Sequence, residues 1–147
     1  MPRTTLMRAQ HDLAVALVGE IAALSLQPPS EPQAFQIVLK LAKLTGLLRI
    51  HFAQEDRLLY PALTAVDNSE ASLTAIRFQA EMGDLSRRFE DFAQRWSAST
   101  VVLANFVEFR RESRTIFGAL KHRIEQENAV LYPFADALDD PALVRIA

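Results

Sequence analysis

Cysteine is absent from the chain, and with it go disulfides, thiolate metal sites, iron–sulfur clusters and cysteine nucleophiles. An excess of charge of one sign is also missing, since 16 Lys and Arg stand against 18 Asp and Glu for a net −2. That balance provides no polybasic field for phosphate, so neither nucleic acid nor an anionic membrane is expected as a partner. No apolar run reaches the roughly 18–20 residues of a membrane span. The start Met1-Pro2-Arg3-Thr4-Thr5 has no apolar stretch behind its charge of the kind a secretory leader carries. A soluble cytoplasmic protein is the resulting expectation. What is present is 147 residues, 50% hydrophobic and 23% charged, the composition of one globular domain over 1–147, able to bury roughly 68–70% of its unfolded surface.

Prolines cluster only in Pro28-Pro29-Ser30-Glu31-Pro32, and Asp67-Asn68-Ser69-Glu70 and Ser97-Ala98-Ser99-Thr100 are further polar turn candidates. Four long segments lie between them. None sustains the period-two alternation of a strand, whereas all carry apolar residues at spacings of three and four, the pattern of amphipathic helices. The inward stripes read Met7, His11, Ala14, Val18, Ile21; then Ile37, Leu41, Leu44, Leu48, His51, Glu55, Leu58, Ala62; then Ala75, Phe78, Met82, Leu85, Phe89, Phe92, Trp96; and last Val102, Phe106, Phe109, Ser113, Ile116, Leu120, Arg123, Glu127, Val130, Phe134. Short connections favour antiparallel neighbours, which gives an all-α, up-down-up-down antiparallel four-helix bundle.

Five residues break these stripes: His11, His51, Glu55, Arg123 and Glu127 fall where the spacing directs a side chain into the core. Unpaired buried charge is prohibitive, so such groups must pair, bind a metal or line a wet cavity. Antiparallel connectivity puts all five at the same end of the bundle, within roughly 10–20 Å of it at about 1.5 Å per residue.

The chain also repeats itself. Glu55-Asp56-Arg57-Leu58-Leu59-Tyr60-Pro61 and Glu127-Asn128-Ala129-Val130-Leu131-Tyr132-Pro133 share Glu-x-x-aliphatic-Leu-Tyr-Pro. At that offset His51 is matched by Arg123, with His122 one position off the stripe. More weakly, Ala9-Gln10-His11 aligns with Ala80-Glu81-Met82, pairing His11 with Met82. His at i and Glu at i+4 share one helix face, so His51 and Glu55 are placed to hold a cation together. Imidazole nitrogen with carboxylate oxygen suits iron, zinc or manganese. The ferritin-like carboxylate oxidases use the reverse order, Glu-x-x-His, which does not occur here.

His11-Asp12-Leu13, His51-Phe52-x-x-Glu55-Asp56-x-x-Leu59-Tyr60-Pro61 and Ile124-x-x-Glu127-Asn128-x-x-Leu131-Tyr132-Pro133 resemble the hemerythrin-like (HHE cation-binding) family over nearly the whole chain. The resemblance implies a four-helix bundle whose relatives hold a non-haem di-iron centre and store or sense oxygen, respond to nitric oxide or iron, or repair iron–sulfur clusters. It also implies that His11, His51, Glu55 and Glu127 occupy ligand positions, while Met82 and Arg123 stand where two further histidines are expected.

A guanidinium cannot ligate a metal and brings its own positive charge. Two arrangements follow. In one, Arg123 lies between Glu55 and Glu127 and the core is a metal-free Arg-Glu-His network serving a structural or interaction role. In the other, Arg123 swings outward and leaves a two-His, two-carboxylate site for a single iron or zinc. A di-iron protein handling oxygen or nitric oxide would further require His122 to reach the core. The leading expectation is a metal-binding sensor or carrier with iron, mononuclear or dinuclear, or zinc instead; four ligands without a general base beyond them do not make an enzyme. Tyr60 and Tyr132 are expected at the bundle end with hydroxyls outward. Phe35, Phe52, Phe117 and Trp96 are candidates either for core or for a patch that contacts a second copy or another protein partner.

Overall fold

A computed structural model describes residues 2–65 and 67–138; Met1, Val66 and 139–147, part of the domain expected over 1–147, lie outside the described residues. Among the described residues the chain is helical throughout. The first rod is α1 (Thr5–Ser25). The second consists of α2 (Glu31–Gln54), a π-helical turn π1 (Glu55–Leu59) and α3 (Tyr60–Leu63). The third is α4 (Glu70–Arg95). A short α5 (Ser99–Ala104) packs on α2 and leads into the fourth rod, α6 (Phe106–Gln126), a second π-helical turn π2 (Glu127–Leu131), and α7 (Tyr132–Ala137). The Ser97–Thr100 turn expected from composition is therefore shorter, because its last two residues begin α5.

Local chemistry sets the helix starts. Ser30 accepts from the Gln33 N–H while the Gln33 side chain accepts from the Ser30 N–H, a reciprocal capping box with Pro32 in the first turn, where no N–H is needed. Ser69 caps α4 by accepting from Ser72 N–H. Just before it, Asn68 takes φ 60°, a left-handed conformation that Asn tolerates better than most residues. At α1 the cap comes from the far end of the chain. Thr4 donates both its N–H and its hydroxyl to the Asp136 carboxylate, placing negative charge at the helix N-terminus.

The four rods run up-down-up-down, and their expected stripes meet in a long core from Ala14 to Ile124 and in a second, smaller cluster that includes Met7, Ala75 and Phe78. Its far end is aromatic: Phe92, Trp96, Phe109 and Phe117 pack ring against ring, with centroids 5.4–6.0 Å apart. Trp96 and Phe117 thus belong to the core and to no surface patch. Phe52 is half-buried, and only Phe35 of the four candidate patch aromatics is exposed.

The stripes of rods two and four depart from expectation at their ends. Leu58 is 62% exposed and Ala62 half-buried, while Leu59 and Leu63 are core; likewise Leu131 and Ala135 take the places expected for Val130 and Phe134. The π turns are the cause. Tyr60 N–H bonds to Glu55 C=O and Tyr132 N–H to Glu127 C=O, five residues back, so each turn holds one extra residue and the buried phase slips by one. Pro61 and Pro133 follow directly and have no N–H to contest the arrangement.

Candidate metal centre

The extra residue also turns the tyrosines. Both were expected to point outward, yet Tyr60 and Tyr132 are buried, with hydroxyls directed toward the polar cluster. His11 from α1, His51 from α2, Glu55 at the start of π1 and Glu127 at the start of π2 converge at one end of the bundle, each 1% exposed. One ligating atom from each lies within 4.8 Å of the other three. His51 Nε2 is 2.5 Å from Glu55 Oε1, His11 Nε2 is 3.0 Å from Glu127 Oε1, and the two Nε2 atoms are 3.1 Å apart. All four residues singled out from the sequence are brought together.

Two residues that sequence reasoning missed set the histidine tautomers. His11 Nδ1 is 2.8 Å from Asn128 Oδ1, and His51 Nδ1 is 2.7 Å from Gln10 Oε1, whose amide in turn donates to Gln54 Oε1. With each Nδ1–H donating to an amide oxygen, both Nε2 lone pairs face inward. Metal-binding histidines are oriented by partners of this kind. Arg8 holds the first arrangement from outside, bonding to the Asn128 carbonyl and to Asp136 and covering the Tyr132 ring.

The cluster is rich in acceptors and poor in donors. Two Nε2 lone pairs and two carboxylates point at one small volume, and the Tyr132 hydroxyl, 3.1 Å from His11 Nε2 and 3.3 Å from His51 Nε2, has one hydrogen to give. Both oxygens of Glu55 and Oε2 of Glu127 are buried without a hydrogen-bond partner, as is Arg123 Nε, which lies 3.6 Å from Glu127 Oε2. Burial, reinforced by the Glu127 carboxylate, pushes Glu55 well above the ordinary carboxylate range. Burial opposes ionisation of Glu127 too, yet the polar groups against it, His11, His51 and Glu55, outweigh burial and hold that carboxyl below its ordinary range. Without a cation, then, Glu55 is the weaker acid of the pair and Glu127 the stronger. Burial and the neighbouring carboxylates push both tyrosines up, so both stay protonated.

Arg123 takes neither of the arrangements expected of it. It is 6% exposed, so it does not swing into solvent, and it does not lie between Glu55 and Glu127. Its guanidinium turns toward α4, donating to the Phe78 carbonyl, the Tyr60 hydroxyl (3.2 Å) and Glu81 (3.4 Å), and stacks over the Phe78 ring at 4.5 Å. Only Nε approaches the cluster, 3.6 Å from Glu127 Oε2. Met82 is a core side chain, as its stripe position indicates, and His122 is exposed on α6 beside a surface cavity.

Two imidazoles and two carboxylates at one end of a four-helix bundle narrow the family, and the hemerythrin HHE cation-binding domain profile matches residues 3–135. The chain belongs to the hemerythrin HHE cation-binding family. Searches of curated proteins and of solved structures returned no match. For a member of this family the donor set is a direct test of fit. Inward Nε2 lone pairs and orphaned carboxylate oxygens are what a shared ion with bonds of about 2.0–2.2 Å accommodates after small side-chain movements. His11, His51, Glu55 and Glu127 fit one cation. No helix among the described residues is long and apolar enough to cross a membrane.

Proposed function

We propose that this hemerythrin-like chain binds one metal ion, iron with zinc as the alternative, on His11, His51, Glu55 and Glu127, and that it works as a sensor or carrier, not as a catalyst. The observation that carries the reading is an excess of buried acceptors over donors: three carboxylate oxygens lack any hydrogen-bond partner, the unpartnered Arg123 Nε stays 3.6 Å from Glu127, and the two imidazole Nε2 atoms lie 3.1 Å apart. Such groups are costly unless a cation satisfies them. Nitrogen and oxygen donors of this type suit iron and zinc. The chemistry that such an ion supplies is compensation of the two carboxylates and, for iron, a one-electron couple.

The chain's own residues then have distinct parts. Gln10 and Asn128 hold the imidazoles in the ligating tautomer, and a bound cation favours the ionised form of Glu55. Tyr132 offers its hydroxyl hydrogen from the side of the histidines. Arg123 supplies a fixed positive charge beside Glu127 where the repeat would have a second histidine, and Met82 has a thioether, a poor donor to hard iron. Both departures favour one ion over two. The burial of all four ligands favours holding a cation over turning over a substrate.

The test is metal per chain by elemental analysis after anaerobic Fe(II) loading, and separately with Zn(II), on the intact protein and on His51→Ala. About one ion per chain, lost in the variant, is expected. No bound metal under either condition would overturn the reading and leave a metal-free bundle held by its buried polar network.

A further inference from the structure

We propose that the groove between α1 and α6, in the half of the bundle remote from the metal centre, binds a single-chain amphiphile with a carboxylate head, such as a free fatty acid. The groove encloses about 430 Å³, within the range of small-molecule sites, and it has their composition: a mostly apolar lining with a few polar groups at the rim. Val18 and Phe117, both nearly fully buried, form its floor, and Val15 and Leu26, 39% and 74% exposed, stand along one wall. Along α1 the groove extends from residue 15 to residue 26, about 16 Å at 1.5 Å per residue.

Two further features shape it. Gly19 and Gly118 line the groove, and a Cβ built on either meets nothing within 4 Å, so the trough is open where side chains would otherwise fill it. Between Thr5 and Ser25 the only Lys, Arg, Asp or Glu residues are Arg8, Asp12 and Glu20, and none follows before Glu31, which leaves the outer side of α1 unusually apolar for an exposed helix.

The rim fixes the charge of the occupant. Arg110, Arg114 and Lys121 stand at i, i+4 and i+11 on α6, one face of the helix, and all three line the groove. None forms an ion pair with an acidic residue among the described residues; the nearby Glu108 and Glu112 are engaged by Arg111 and Arg95. Three cations without an acidic partner over an apolar trough, with Arg110 lying over the Phe106 ring at 6.0 Å, complement an acyl chain that ends in an anion. Arginine presents a planar fork to a carboxylate and the acyl chain takes the trough, where each buried methylene contributes about 0.8 kcal/mol.

The test is calorimetric titration of the intact protein with dodecanoate below its micellar concentration, with dodecanol as the uncharged counterpart. Saturable binding at one per chain is expected, at least tenfold tighter than dodecanol. Arg110→Gln combined with Arg114→Gln should weaken dodecanoate at least tenfold and leave dodecanol unchanged. Gly118→Leu should abolish binding of both, and because it replaces a helical glycine over open space the thermal midpoint should not fall. Equal binding of dodecanoate and dodecanol, undiminished binding in Gly118→Leu, or binding only to phosphatidylglycerol vesicles and not to free dodecanoate would each overturn the proposal.

Discussion

The two copies of Glu-x-x-aliphatic-Leu-Tyr-Pro share a backbone and differ in their electrostatics. In each, a buried glutamate opens a π turn, a leucine enters the core, a tyrosine faces the cluster and a proline follows. Four residues before the glutamate, however, one copy has His51 and the other Arg123. Tyr132 accordingly meets the two Nε2 atoms, whereas Tyr60 accepts a hydrogen bond from Arg123. Asn128 orients His11, while its counterpart Asp56 is exposed. One half of the repeat presents imidazole to the cluster, and at the corresponding positions the other has a permanent cation and a thioether. The repeated backbone supplies positions for two such halves, and the side chains four residues back decide what each can hold.

The largest expected effect comes from breaking the donor-rich half. His51→Ala removes one of two nitrogens from a four-ligand set, and metal binding should fall by at least a hundredfold, read by competition with a chelator of known affinity. Breaking the other half should appear in stability. Arg123→Ala leaves Glu127 without its cationic neighbour and empties a buried site, at a cost of about 3 kcal/mol by urea unfolding at neutral pH. A loss under about 1 kcal/mol would mean that the guanidinium is of little structural consequence.

The two glutamates should separate under pH in chelator-treated protein. Glu55 has a folded value raised above the ordinary 4.5, so its contribution is present below that value and is lost as pH rises toward the folded one. Glu127 has a depressed value, so its contribution is present above 4.5 and is lost as pH falls below it. Metal-free stability should therefore decline on both sides of about pH 4.5 from these two groups, and Glu55→Gln should remove the decline on the alkaline side alone. An unchanged alkaline limb in Glu55→Gln would contradict that assignment. The smallest contrast is between the hydroxyls. Tyr132→Phe should alter metal affinity, whereas Tyr60→Phe should leave affinity alone and cost about 1 kcal/mol of stability for one lost hydrogen bond.

Much of this was readable in the sequence, and the part that was not has a definite cause. Apolar spacing gave four antiparallel rods, and the residues that interrupt it, His11, His51, Glu55, Glu127 and Arg123, all lie together at one end. A 3.6-residue period carries no signal for a bond five residues back, so Leu58, Ala62, Val130 and Phe134 were expected in places that Leu59, Leu63, Leu131 and Ala135 occupy. The same slip turned the tyrosines inward. Gln10 and Asn128 were missed because uncharged amides beside a stripe resemble surface residues; the change from Asp56 to Asn128 within an otherwise repeated string was the available clue. The side on which a long arginine stem settles depends on tertiary partners, here Phe78 and Tyr60, which helical periodicity does not encode.

The most direct measurement compares iron stoichiometry in the intact chain and in the double variant Met82→His, Arg123→His after anaerobic Fe(II) loading. One ion per intact chain and two per variant chain are expected, because the variant supplies imidazole donors to the second half of the site. Two ions in the intact chain would contradict the single-ion centre, and so would none.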